Sequence, residues 1–218
     1  MTERIKSICK YLRAVRVLAD VGCDHGYCAK YALDNGLCER VYITDVSRES
    51  LKKAETLLAA EMAAGRCKSV CCDGLDGVPE RCDSVLIAGL GGEEIMHILR
   101  GELPAHFVLQ PMKNAEKLRR YLVENGAKIL TDITFFAGKY YHLIAGEGKG
   151  GDSYTPLEYA FGRDNLRKPT EAFAGYLKEE IAKLTGYSRE KMSAETKAAH
   201  DERLSLYCEV LHETQKHL

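Results

Sequence analysis

Four short groups of residues in this chain combine types and spacing that could do chemistry. Asp20-Val21-Gly22-Cys23-Asp24-His25-Gly26 packs two carboxylates and an imidazole into a turn flanked by glycines. Asp45-Val46, Asp73-Gly74-Leu75 and Ala88-Gly89-Leu90-Gly91-Gly92 follow at intervals that suit successive strand ends. Glycine lets the backbone turn tightly and approach a ligand, and the start of a helix offers unpaired N–H groups. A phosphate would ordinarily suit such a turn. Here Asp24 stands where the dinucleotide fingerprint has its second glycine, and its charge would repel a pyrophosphate. The turn calls for a cationic ligand instead.

S-adenosylmethionine, with a sulfonium and an ammonium, meets that requirement. Asp45 could accept both ribose hydroxyls, or cap the helix that follows. Asp73 could take the adenine amino group with Gly74 permitting close approach, or simply make a turn. Three glycines in the four residues Gly89–Gly92 suggest backbone lying against a flat ligand or base.

These groups are useful only if elements bring them together. Short β-branched runs alternate with amphipathic stretches from Arg16 to Ile144. The pattern predicts strands over Arg16–Val21, Arg40–Thr44, Cys67–Cys72, Ser84–Ala88 and His106–Leu109. A hairpin follows, over Ile129–Phe136 and Tyr140–Ile144 about a turn at Gly138. Helices are expected over Tyr27–Asn35, Ser47–Ala64, Glu93–Arg100 and Asn114–Asn125, with a short amphipathic helix at the N-terminus. The fold class is therefore α/β, a Rossmann-like, mostly parallel sheet with an antiparallel edge hairpin. All four groups then fall at the C-terminal ends of consecutive strands, where open α/β sheets bind ligands.

Gly146–Gly151 reads as a flexible boundary, giving a domain over 1–150 and a helical one over 151–218. Tyr154–Leu166 looks irregular. Beyond it, Phe173, Leu177, Ile181 and Leu184 form one apolar stripe, and Leu204, Tyr207, Cys208 and Leu211 form another after a polar start near Ser188. Gly186 separates them, which predicts a helical hairpin, a coiled-coil-like arm.

In its motifs the chain resembles the bacterial tRNA adenine-N1 methyltransferase (TrmK) family. The resemblance rests on Asp20–Tyr27 (DVGCDHGY), Ile87–Gly92 (IAGLGG), Leu109-Gln110-Pro111 and Leu118-Arg119…Leu122…Asn125-Gly126. It runs in order from Arg4 to about Ile144, and more loosely through Tyr154-Thr155…Gly162…Asn165-Leu166 and the arm. Leu90 replaces the family's usual Met, and Val46-Ser47-Arg48 replaces a Gly-Pro-Leu step after Asp45. The resemblance implies S-adenosylmethionine as donor and an adenine in the D-arm region of tRNA as acceptor. Asp20, Gly22, Asp24, His25, Asp45, Val46, Asp73, Gly74, Leu75, Ala88 and Gly89 would then line the cofactor.

Adenine N1 has an in-plane lone pair, so methyl transfer to it needs alignment and charge relief rather than a strong base. Asp24 could be catalytic by orienting the exocyclic amino group and stabilising the cationic product; alternatively it holds the cofactor or caps a helix. Tyr27 could stack on an extruded base or belong to the core. Gly91, Gly92, Gln110 and Pro111 could line the base pocket. Lys113, Lys117, Arg119 and Arg120 could meet phosphates, or form a solvated basic face.

Bulk properties narrow the field. The net charge of −1 supplies no global attraction for nucleic acid, and the arm from Arg163 to Leu218 balances ten basic with ten acidic residues. No apolar run is long enough to span a bilayer, and no secretory signal is evident. The protein is therefore expected to be cytoplasmic, and a monomer is expected; nine cysteines, an odd number without paired zinc spacing, predict neither metal nor disulfides. The rival readings are a small-molecule methyltransferase and a non-catalytic cofactor-binding scaffold.

Overall fold

A computed structural model describes residues 1–187 and 193–218. Seven strands form one sheet in the order β3-β2-β1-β4-β5-β7-β6. They are β1 (Val15–Val21), β2 (Cys38–Asp45), β3 (Cys67–Cys71), β4 (Ser84–Leu90), β5 (His106–Pro111), β6 (Lys128–Phe136) and β7 (Tyr140–Glu147). The first five run parallel, and β7 pairs antiparallel with both β5 and β6.

Alternation along β1 explains why both faces must be covered. Leu18 faces one cluster with Ile43 and Leu86, beneath α1 (Glu3–Cys9), α2 (Tyr27–Asp34) and α3 (Arg48–Leu57). Val17, Ala19 and Val21 face the other, beneath α5 (Gly92–Ile98) and α6 (Ala115–Glu124), which contribute Ile95, Leu118 and Leu122. Burying each such aliphatic side chain is worth about 1.5–3 kcal/mol.

Three expectations are corrected. The helix expected over Ser47–Ala64 is two: α3 is capped by the Ser47 hydroxyl, and α4 (Ala59–Ala63) follows a break at Leu58, where φ is −102° and ψ 16°. Leu58 is wholly buried against Gly26, whose added Cβ would meet its Cδ1 at 3.0 Å. Gly146 is strand, paired with Phe107 and Ile129; a Cβ there would come within 2.3 Å of the Lys128 carbonyl. The segment read as irregular holds α7 (Pro156–Phe161) and α8 (Arg163–Arg167). Thr155, Pro156 and Glu158 form a capping box with proline at the first turn, a helix-start signature legible in the sequence.

The expected arm is present as α9 (Glu171–Gly186) and α10 (Ala194–Lys216), joined through Phe173, Leu177, Leu184, Tyr207 and Val210, with Phe161 of α7. The polar start placed near Ser188 lies outside the described residues. No described helix is long and apolar enough to cross a membrane.

Candidate active site

The ends of β1, β2 and β3 are tied side by side by their own loops. Gly22 N and Cys23 N donate to the Thr44 carbonyl at 2.8 and 3.1 Å. Thr44 Oγ1 donates to the Gly74 carbonyl at 2.8 Å, and Asp24 N donates to Asp45 Oδ2 at 3.4 Å. Asp24 sits in the left-handed region, φ 45°, which aspartate tolerates better than most residues. Gly26 has φ 71°, and a Cβ on it would lie 2.9 Å from that of Ala54, so the turn can close onto α3 only with glycine.

Together these loops line an open cleft of about 710 Å³. Following the strand order β3-β2-β1-β4, its lining runs from Cys72, Asp73 and Gly74 through Asp45 and Val46, then Gly22 and Asp24, to Ala88 and Gly89. Val46 is 72% exposed at the rim. The Asp24 side chain is 64% exposed, with Lys53 Nζ at 3.9 Å and His25 Nε2 at 3.8 Å. Asp45 accepts from Ser47 N at 2.8 Å as well as from Asp24 N, so it holds two loops while facing the cleft.

A second cavity of about 400 Å³ adjoins the first and shares Arg4, Gly22, Asp24 and Ala88 with it. Tyr27 lies at its edge, 39% exposed, stacked on the His25 ring with centroids 5.6 Å apart. The core alternative for Tyr27 therefore falls. Asp20 lies beneath, 4% exposed, accepting from Ala29 N at 3.0 Å. Burial pushes its carboxyl up to about 7, although the amide hydrogen bond opposes the shift.

Other sequence-predicted residues are placed differently. Leu75 lines a separate cavity with Val78 and Leu99 rather than the cleft. Gly91 and Gly92 pack against the entry to α6: a Cβ on Gly92 would meet the Asn114 carbonyl at 2.5 Å, and one on Gly91 the Lys113 Cε at 2.8 Å. Their smallness serves chain packing rather than a flat ligand. Gln110 is wholly buried, its Nε2 donating to the Pro111 carbonyl at 3.1 Å, and it lines neither cavity.

Arg119 is the sharpest correction. It is completely enclosed, with Nε 2.9 Å from both Asp132 carboxylate oxygens and Nη1 donating to the Tyr159 and Ala160 carbonyls. No phosphate can reach it. Lys117 pairs with Glu93 at 2.6 Å and Arg120 with Glu116 at 3.2 Å, so most of the basic run is neutralised by neighbours. Lys113 is exposed and, with Pro111, lines a third cavity of about 630 Å³ between α6, β7 and the arm. His142 lines it too, held neutral down to about 3 chiefly by burial.

Sequence reasoning missed Arg4, Ser50, Glu93, Glu94 and His97, all of which line the cleft. None belongs to a strand-end turn: Arg4 precedes the sheet, and the others lie within helices. Among the described residues no cluster of side chains could hold a metal ion.

Comparison with known proteins agrees with this geometry. Residues 1–144 match the methyltransferase domain family. A protein of Mycoplasma pneumoniae named "Putative tRNA methyltransferase" is 32% identical over 151 residues, covering 66% of this chain and 70% of the relative. The Bacillus subtilis tRNA (adenine(22)-N(1))-methyltransferase is 24% identical over 160 residues, 70% of this chain and 67% of its own. The solved structure of Mycoplasma capricolum TrmK in complex with S-adenosyl-homocysteine superposes with a TM-score of 0.86 at 21% identity, over 98% of this chain and 99% of that one. Its likeness is one of fold. With strand ends gathered into one acidic cleft and more than half its length matched, the chain belongs to the methyltransferase domain family.

Proposed function

We propose that this protein transfers the methyl group of S-adenosylmethionine to N1 of an adenine in the D-arm region of tRNA. The carrying observation is the cleft at the ends of β1 to β4, where Asp24, Asp45 and Asp73 converge. Its volume lies within the roughly 300–1,000 Å³ of small-ligand sites, and its acidic lining fits a cationic cofactor better than a pyrophosphate. The relatives named for tRNA methylation support the acceptor.

The bound cofactor supplies an electrophilic methyl group on a positively charged sulfur. Asp45 would accept from the ribose hydroxyls, and Asp73, 3.4 Å from His97, would receive the adenine amino group. Gly22, His25, Val46, Gly74, Ala88 and Gly89 would shape the cofactor's path, with Asp20 holding the turn from below. The second cavity, edged by Tyr27, would take the target base within reach of Asp24. There the Asp24 carboxylate would orient the exocyclic amino group and relieve the positive charge of the methylated base. Lys113, exposed beside α6, would meet a phosphate.

In this reading 1–150 carry the chemistry and 151–218 form the arm of a cytoplasmic monomer. The test is transfer of labelled methyl from S-adenosylmethionine to unmodified tRNA, with the modified nucleoside mapped. Wild type should yield N1-methyladenosine, and Asp24→Ala should lose it by about 100-fold or more even at saturating cofactor. Methylation of a small molecule in place of RNA would overturn the acceptor assignment.

A further inference from the structure

The turn between β6 and β7 carries an aromatic side chain that the core does not use. Phe107, Phe161 and Phe173 are buried and Phe135 is half-buried, whereas Phe136 is 58% exposed. A single exposed aromatic is ordinary on a protein surface. What sets Phe136 apart is how firmly it is held and what lies beside it. It pairs with Tyr140 across the strands, ring centroids 5.0 Å apart. Tyr140 in turn meets Tyr176 of α9 edge-on at 6.5 Å and sets its hydroxyl against Gly175, where no Cβ would fit. Gly138, φ 78°, turns the chain, and Ala137 N donates to the Lys139 carbonyl at 2.9 Å. Phe136 therefore stands on a braced prong. Lys139 beside it is exposed and forms no salt bridge among the described residues.

The two faces of the prong look onto different spaces. Tyr141, stacked on Phe135 with centroids 5.5 Å apart, lines the second cavity, and Ala137 at the turn lines it as well. Phe136 and Tyr140 lie on the opposite face, toward the arm. The geometry points to Phe136 as a wedge that fills the gap left in the RNA stack when the target adenine swings into the second cavity, an inference that rests on the tRNA reading above. N1 lies on the edge that an adenine uses for pairing, so the base must leave its stack to be methylated. A cavity of about 400 Å³ has room for one base and none for a helix, so the flanking nucleotides stay outside. A base that passes over the turn leaves its neighbours on the face that carries Phe136. An aromatic ring stacks on any base, and an apolar side chain inserted at a base step holds it open. Lys139 then meets a phosphate beside the gap.

The experiment is single-turnover methylation of unmodified tRNA by the full chain, at saturating cofactor and tRNA, beside direct measurement of tRNA binding. Phe136→Ala should slow methyl transfer by about 10- to 100-fold, the worth of one aromatic–base stack, while tRNA affinity and melting temperature stay near wild type. Phe136→Tyr should keep most of the rate. A tRNA with an abasic site next to the mapped adenine has less stacking to break, and on it Phe136→Ala should approach wild type. An equal deficit on both RNAs would make the ring merely structural and overturn the inference. So would an unchanged rate, or a loss confined to tRNA affinity, which would make Phe136 an ordinary surface contact. A wild type that binds cofactor but methylates no tRNA would instead sink the acceptor reading, and the wedge with it.

Discussion

Asp20 illustrates how a single buried acid can set stability against binding. Its folded pKa of about 7 lies above the ordinary 3.8, with desolvation the larger cause. Between those pH values the unfolded chain releases the proton and the folded chain keeps it. The stability gained by keeping it is full below the ordinary value and is lost as pH rises through about 7. Asp20→Asn retains an acceptor for Ala29 N and removes the charge. The variant should be more stable than wild type at pH 8 by roughly 1–3 kcal/mol, with a flatter stability profile through the acid range. It should also bind S-adenosylmethionine more weakly, because the cleft loses part of its negative field. Denaturant melts across pH, read beside calorimetric binding, check both halves.

At the scale of elements, the β4 loop is placed by contact with the start of α6. Gly92 N donates to the Lys113 carbonyl at 2.9 Å, and no side chain fits between the two segments. Gly92→Ala should therefore cost roughly 1–3 kcal/mol and displace Gly89 from the cleft, lowering cofactor affinity as well. Urea unfolding and binding titrations measure the two effects; a variant with wild-type stability would contradict the packing account. The parallel strands and their order of turns were legible in the sequence because period-2 runs and glycine-bearing ends carry local signals. Asp24, Asp45 and Asp73 were legible for the same reason. The glycines at 91 and 92 invited a ligand explanation because sequence cannot show that Asn114, far along the chain, comes to lie against them. Arg119 misled likewise: on a basic helix it looks solvated, and only the return of α7 and β6 encloses it.

At the scale of the molecule, Arg119 and Asp132 fasten α7 and α8 to the sheet. Asp132 accepts from Arg119, from the Tyr154 hydroxyl at 3.1 Å and from Arg163 N at 3.3 Å. Burial raises the Asp132 pKa despite the adjoining guanidinium. Nearby, Asn165 Oδ1 accepts from Thr134 N at 2.8 Å, pinning α8 to β6. These links join the proposed 1–150 and 151–218 units, so calorimetry should give one melting transition rather than two. Arg119→Ala should lower it, with a loss of about 3–5 kcal/mol, because a buried carboxylate is left without its cation. The pair Arg119→Met with Asp132→Leu should recover only part of that loss, because the Tyr154 hydroxyl and Arg163 N then lack their acceptor.

The convergence on Asp132 also constrains how this sequence can drift. Donors from α6, the stretch before α7 and the start of α8 all end on one carboxylate. A change at any one position leaves the others aimed at a group they no longer balance. Inherited variation at 119, 132 and 154 should consequently be correlated, with lineages keeping the set or exchanging it together. These positions lie far apart in the chain and would tend to be read as independent until their histories were compared.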